Sequence, residues 1–147
     1  RLSVHPNVMG IKEASGDMSY AMQIARYLSD DFVMYSGNDD ITIPLLSVGA
    51  SGVISVWANI MPKEVHDMVA NWLAGQHDKA LAEQLRCLDL INGLFMEVNP
   101  IPVKEAMNLM GLKGGYFRMP MYPMTDEHRA KLAKLMREVG LPVREDV

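Results

Sequence analysis

Through the first half of the chain, short apolar runs and amphipathic stretches alternate with a period of roughly 20 to 24 residues, and this rhythm constrains the fold more than any single motif. Residues 8–12 read as a buried strand. Asp17 can cap a helix over residues 18–28, whose Ala21, Ile24, Ala25 and Leu28 fall on one face. Residues 32–36 form the second strand, which ends in the turn Gly37-Asn38-Asp39-Asp40; the two acids suit the start of a short, very apolar helix over 41–48. Residues 52–56 form the third strand, and Pro62 opens a helix over 62–74 with Val65, Met68, Val69 and Leu73 inward. Such an order is the grammar of right-handed parallel βα units, so the class is α/β. Three units cannot close a barrel, and a lone three-stranded parallel sheet would leave two exposed edges. The organisation therefore reads as the last part of a barrel.

After Gly75 the rhythm stops. Residues 78–98 read as one long helix with Leu81, Leu85, Leu88, Ile91 and Phe95 on a stripe, and no strand follows. The stiff turn Asn99-Pro100-Ile101-Pro102 leads into a helix over 103–110. A loop rich in Gly, Pro and Met then precedes a last helix, capped by Thr125 and stopped by Gly140, with Leu132, Leu135 and Met136 inward. The expected division is barrel at 1–75 and a C-terminal helical domain at 76–147.

Composition narrows the function. With 49% hydrophobic and 22% charged residues the chain has the balance of an ordinary globular protein. A net charge of −4 without a run of basic residues argues against nucleic acid and anionic membranes as partners, and no apolar run approaches the roughly 20 residues that span a bilayer. Cys87 is the one cysteine, which rules out an internal disulfide and fits a reducing, cytoplasmic setting; on its helix it reads as a small buried apolar residue. The four histidines lack ligand spacing, so no metal site is expected, and no motif calls for a cofactor. Small, neutral or anionic metabolites remain as substrates. The start Arg1-Leu2-Ser3, without methionine, suggests a chain that begins inside something longer.

The candidate chemistry lies at Lys12, where an apolar run delivers an amine to the end of a strand. An amine drawn partly out of water loses basicity, because desolvation disfavours the ammonium, and a neutral amine can attack a carbonyl to form a Schiff base. The alternative for Lys12 is a side chain that snorkels to the surface. Glu13 points to the opposite face of the strand and reads as a barrel-exterior or loop acid rather than a catalytic base.

Four motifs in order, Gly10-Ile11-Lys12-Glu13-Ala14-Ser15-Gly16, Ser36-Gly37-Asn38-Asp39, Gly52-Val53-Ile54-Ser55-Val56 and Asn99-Pro100-Ile101-Pro102-Val103-Lys104, span essentially the whole chain. Together they resemble the dihydrodipicolinate synthase family of pyruvate-dependent class I aldolases. The resemblance implies that the chain is the C-terminal part of a (β/α)8 TIM barrel, about strands six to eight, and that Lys12, on the sixth strand, forms a Schiff base with pyruvate, whose enamine then attacks aspartate semialdehyde on the way to diaminopimelate and lysine. It implies that Gly37, ending the seventh strand, lines the pocket with its backbone. Ile54, on the eighth strand, matches the apolar residue beside bound pyruvate and reads equally as barrel core. Ser36 reads as a strand-end residue that satisfies backbone. Asn38 and Trp57 depart from the family pattern, which expects an acid and a small polar residue there. The family's other pocket residues belong to the first five strands and have no counterpart here, so the chain reads as a C-terminal half with little activity alone. A homotetramer is implied as well. Two further readings stand beside this one: a sister aldolase acting on sialic acid or a 2-keto-3-deoxy sugar acid, and a non-catalytic half-barrel module with a structural Lys12.

Overall fold

The computed structural model describes residues 1–144 and resolves their contacts into two compact units. The first comprises Arg1–Ser55 with Val65–Gln84, and the second comprises Val56–Glu64 with the chain from Leu85 onward.

The first unit is built on a three-stranded parallel sheet in the order β1 (Gly10–Glu13), β2 (Val33–Ser36), β3 (Gly52–Val53). Lys12 pairs with Tyr35 and Tyr35 with Gly52; Glu13 pairs with Ser36 and Ser36 with Val53. Side chains alternate along each strand, so this register sorts them into two faces. Glu13, Met34 and Ser36 lie on a buried face, and Lys12 and Tyr35 on an exposed one. The ladder is shorter and shifted relative to the expected strand over 8–12: Met9 is exposed, and its carbonyl already accepts the Val33 N–H at 3.0 Å.

Helix α1 (Met18–Ala25) starts where Asp17 accepts the Ser19 N–H at 2.8 Å and the Tyr20 N–H at 3.1 Å, and it buries Ala21 and Ile24. Helix α2 (Thr42–Ser47) has no such local cap, because Ile41 precedes it. Its start is satisfied from far along the chain. Gln84 accepts the Ile43 N–H at 2.9 Å and donates to the Asp40 carbonyl. Helix α3 (Pro62–Leu73) buries Val65 and Met68, whereas Leu73 is exposed.

Helix α4 (His77–Gly93) departs from the expected stripe in two respects. Its buried positions are Ala80, Gln84, Cys87, Leu90 and Ile91, while Leu81 and Leu85 are 42% and 57% exposed. The expected stripe steps 4-3-3-4 through Leu81, Leu85, Leu88, Ile91 and Phe95, while the buried positions Ala80, Gln84, Cys87 and Ile91 step 4-3-4, so the two share Ile91 and the buried one carries a polar glutamine that works as a cap. The helix also ends at Gly93 rather than near 98. A Cβ at Gly93 would lie 2.7 Å from Leu135 Cδ1, so the glycine permits a close approach, and the next residues turn in tighter loops.

In the second unit a 3-10 turn at Trp57–Asn59 packs on α5 (Ile101–Leu109), which in turn packs on α6 (Asp126–Glu138). Trp57, Ile60, Leu94, Val103, Ala106, Leu132 and Met136 are buried here. Arg129 Nε donates to Glu105 Oε1 at 2.6 Å, joining the two helices. Thr125 caps α6 as expected, and Glu97 reinforces that cap by accepting the Thr125 N–H at 3.2 Å, its hydroxyl at 3.1 Å and His128 Nδ1 at 2.7 Å. Burial pushes the Glu97 carboxyl up, but the hydrogen bonds from His128 and Thr125 outweigh it and hold the group below its ordinary value.

Two outcomes follow from these polar clamps. Gln84→Ala leaves the buried Ile43 N–H and Asp40 carbonyl without their partner, and should lower unfolding free energy by about 1–3 kcal/mol in a denaturant titration. For Glu97, a depressed carboxyl contributes stability that is present above its unfolded-state pKa and lost as pH falls through the folded one. Glu97→Gln should therefore be less stable than the parent at neutral pH, and the gap should close on acidification through the glutamate range. A gap independent of pH would contradict the clamp.

Candidate active site

The C-terminal ends of the three parallel strands carry the residues singled out by sequence. Lys12 sits one residue before the end of β1, on the exposed face, and its amine has no hydrogen-bond or ion-pair partner among the described residues. It is thus more open to solvent in this structure than a buried strand would make it, because only the opposite face of β1 is covered.

Gly37 follows β2 directly. Its N–H donates to the Glu13 carbonyl at 2.6 Å, which carries the β1–β2 pairing one step past the strands. A Cβ built on Gly37 would lie 2.5 Å from Ala14 Cβ, 2.9 Å from Lys12 Cε and 3.0 Å from the Glu13 oxygen. Real Cβ atoms do not tolerate such separations, so glycine here is a steric requirement: the methylene stem of Lys12 occupies the space that a side chain at 37 would need. Lys12 and Gly37 are therefore in direct juxtaposition.

Ile54 lies just beyond β3, where its N–H donates to the Ser36 carbonyl at 2.8 Å. By the alternation of the strand it falls on the face of Gly52, hence that of Tyr35 and Lys12, and it is 49% exposed. Tyr35, between Lys12 and Gly52 in the register, was not singled out by sequence; its ring lies over Gly52, where an added Cβ would meet Cε1 at 3.3 Å. The signal that could have found it is the pairing register, which a single sequence does not print.

Behind the strand ends the loops are tied by short polar contacts. Ser36 Oγ donates to the Asn38 carbonyl at 2.7 Å and accepts the Asn38 N–H at 3.2 Å, so Ser36 serves backbone. Thr42 Oγ1 reaches the Asn38 and Asp39 carbonyls at 3.2 and 3.1 Å. Glu13 is on the covered face, as alternation requires, but it is 2% exposed rather than a solvated acid. Trp57 is fully buried. Among the described residues no group of three His, Cys, Asp or Glu could hold a metal ion, and no helix is long and apolar enough to cross a membrane.

An open amine with an ordered stem, a bare backbone stretch beside it and an apolar side chain on the same face can receive a small carbonyl compound and attack it. Gly37→Ala tests the juxtaposition: the added methyl must displace Ala14 or the Lys12 stem, with an expected loss of about 1–3 kcal/mol in unfolding free energy. An unchanged denaturation midpoint would show that the strand ends are looser than described.

The family model described as the Dihydrodipicolinate synthetase family matches residues 1–139. A 4-hydroxy-tetrahydrodipicolinate synthase from Caldicellulosiruptor saccharolyticus is 51% identical over 144 residues, covering 98% of this chain and 48% of the relative. The enzyme of that name from Clostridium tetani is 56% identical over 128 residues, covering 87% and 43%. Among solved structures, dihydrodipicolinate synthase from Aquifex aeolicus superposes with a TM-score of 0.90 at 35% identity, covering 97% of this chain and 49% of that one. The chain spans about half the length of the curated relatives it matches.

Proposed function

Because the chain belongs to the dihydrodipicolinate synthetase family, we propose that it supplies the C-terminal half of a 4-hydroxy-tetrahydrodipicolinate synthase, a Schiff-base lyase. In this reading β1, β2 and β3 are the sixth, seventh and eighth strands of a TIM barrel, which occupies residues 1–75, and residues 76–147 form the C-terminal helical domain. The observation that carries the proposal is the packing of the Lys12 stem against Gly37 at the carboxyl ends of adjacent parallel strands. Barrel enzymes of this kind work at that end of the sheet.

The chemistry follows from the residues. The Lys12 amine adds to the keto carbon of pyruvate; loss of water leaves an imine, joined through its nitrogen to the lysine stem. The imine withdraws electrons, so a methyl proton of the pyruvate unit can leave to give an enamine. Its carbon attacks the aldehyde of aspartate semialdehyde, and the amino group of that substrate then closes the ring by displacing Lys12. Gly37 leaves backbone exposed beside the imine, and Ile54 covers the methyl side of the pyruvate unit. Groups that grip the carboxylates and relay protons are expected from the remainder of the barrel.

The protein is inferred to act in the cytoplasm as a homo-oligomer, most simply a tetramer, on small metabolites without a metal or organic cofactor.

Borohydride reduction in the presence of pyruvate, followed by peptide mass mapping of the protein expressed from its complete reading frame, tests the proposal. The expected result is a reduced pyruvyl adduct on Lys12, absent in Lys12→Ala. An adduct on another lysine, or none, would overturn it. A sister aldolase would also give the adduct but would not consume pyruvate with aspartate semialdehyde.

A further inference from the structure

The aldolase reading uses Lys12, Gly37 and Ile54 but leaves the residue after the lysine without a role. Glu13 is 2% exposed, on the covered face of the sheet. Its Oε1 accepts the Ser15 N–H at 2.9 Å, while Oε2 is buried without a hydrogen-bond partner. A carboxyl group sunk in a protein with one of its oxygens unpartnered is destabilising relative to an apolar side chain of the same size. Glu13 thus costs the fold stability at a position where a methionine or leucine would pack.

What the group holds lies on the other side of the strand. The Ser15 N–H to Glu13 bond closes the turn that begins at Ala14, and the Glu13 carbonyl takes the Gly37 N–H at 2.6 Å. A Cβ added at Gly37 would lie 2.5 Å from Ala14 Cβ and 2.9 Å from Lys12 Cε, so Ala14 and the Lys12 stem both border the same bare glycine. The turn continues through Ser15, whose Oγ accepts the Asp17 N–H at 3.1 Å, to the cap of α1. One side chain therefore sets the position of Ala14 relative to Gly37 while pointing away from the amine.

We propose that Glu13 is a positioning residue for Lys12: as a hydrogen-bond acceptor for the Ser15 N–H it fixes the Ala14–Gly37 seat of the lysine stem, and with it the approach of the amine to a bound keto acid. The inference rests on the aldolase reading of Lys12. The role needs an acceptor at Oε1 and does not need the charge, so glutamine can fill it and methionine, of similar volume, cannot.

The test compares the parent with Glu13→Gln and Glu13→Met, each expressed from the complete reading frame. It measures the rate constant for borohydride-trapped adduct formation at saturating pyruvate, the pyruvate concentration giving half that rate, and the thermal midpoint. Glu13→Met should fold, because it replaces a partly unsatisfied carboxyl by an apolar group, yet trap pyruvate at least about tenfold more slowly at saturation, since a misplacement of about 1 Å can cost a hundredfold. Glu13→Gln should stay within about threefold of the parent. A purely structural role predicts shifted thermal midpoints with unchanged trapping rates. Parent-like trapping by Glu13→Met overturns the inference, as does a Glu13→Gln protein as slow as Glu13→Met. If Glu13→Met does not fold, the smaller Glu13→Ala, which also lacks the acceptor, takes its place with the same two outcomes, and slow trapping by a folded Glu13→Gln still refutes the acceptor role by itself. Absence of a Lys12 adduct in the parent sinks the aldolase reading itself, and the two failures are thereby told apart.

Discussion

The close approach of the first two strands is the constraint on which the rest of the first unit depends. Two glycines bracket the pairing: at Gly10 an added Cβ would collide with the Val33 carbonyl, and at Gly37 with Ala14 and the Lys12 stem. Between them the register runs Gly10 to Val33, Ile11 to Met34, Lys12 to Tyr35 and Glu13 to Ser36. The period of a strand is two, so a slip by one residue would carry Lys12 under the helices and bring Glu13 into the open. A buried lysine without a partner would oppose such a slip. The steric demand of two small residues thus decides which face the amine occupies, and the chemistry inherits that decision.

Helix starts pose a second problem, and the two units meet it with different groups. Helix α2 follows Ile41, which offers no acceptor, and Gln84 supplies one from forty-one residues beyond Ile43. Helix α6 has a threonine cap, whose own N–H and hydroxyl are taken by Glu97. A neutral amide satisfies the first site without reference to pH. The carboxyl at the second binds its donors more strongly when ionised and so ties that clamp to proton concentration. Local sequence at α2 lacks a cap, and no inspection of residues 38–45 alone would reveal where the acceptor comes from.

That difference describes how far the sequence was legible. Lys12 could be singled out because it sits where an apolar run meets a turn, whereas Gly37 and Ile54 were pointed to by the family resemblance and not by any local signal. The βα rhythm and the caps Asp17 and Thr125 are local signals, and local structure follows them. The faces of α4 were not legible, since Ala80, Gln84, Cys87 and Ile91 form a stripe of mixed size and polarity beside a stripe of leucines, and hydropathy alone favours the leucines. At Gly93, where α4 ends, an added Cβ would lie 2.7 Å from Leu135 Cδ1, a neighbour more than forty residues away that local sequence does not reveal. Alternation told the face of Glu13 correctly, as a barrel-exterior acid, but only the packing behind the sheet shows how completely it is buried.

These features bear on how a lysine becomes a usable nucleophile. A free lysine side chain carries about 2 kcal/mol of rotamer entropy, which a productive geometry must remove. A large neighbour could pin the stem, but it would also fill the space a substrate needs. Here the stem lies beside a small residue: a Cβ at Gly37 would come within 2.9 Å of Lys12 Cε, so only glycine leaves the stem its place, and the amine beyond it has no partner among the described residues. That place depends on strand ends being held by hydrogen bonds, the Gly37 N–H to Glu13 and the Ser15 N–H to the Glu13 side chain. The long residue at 12, the small ones at 14 and 37 and the acceptor at 13 are therefore parts of one arrangement, in which a change of size or of hydrogen-bonding capacity at any of them alters the position of the same amine.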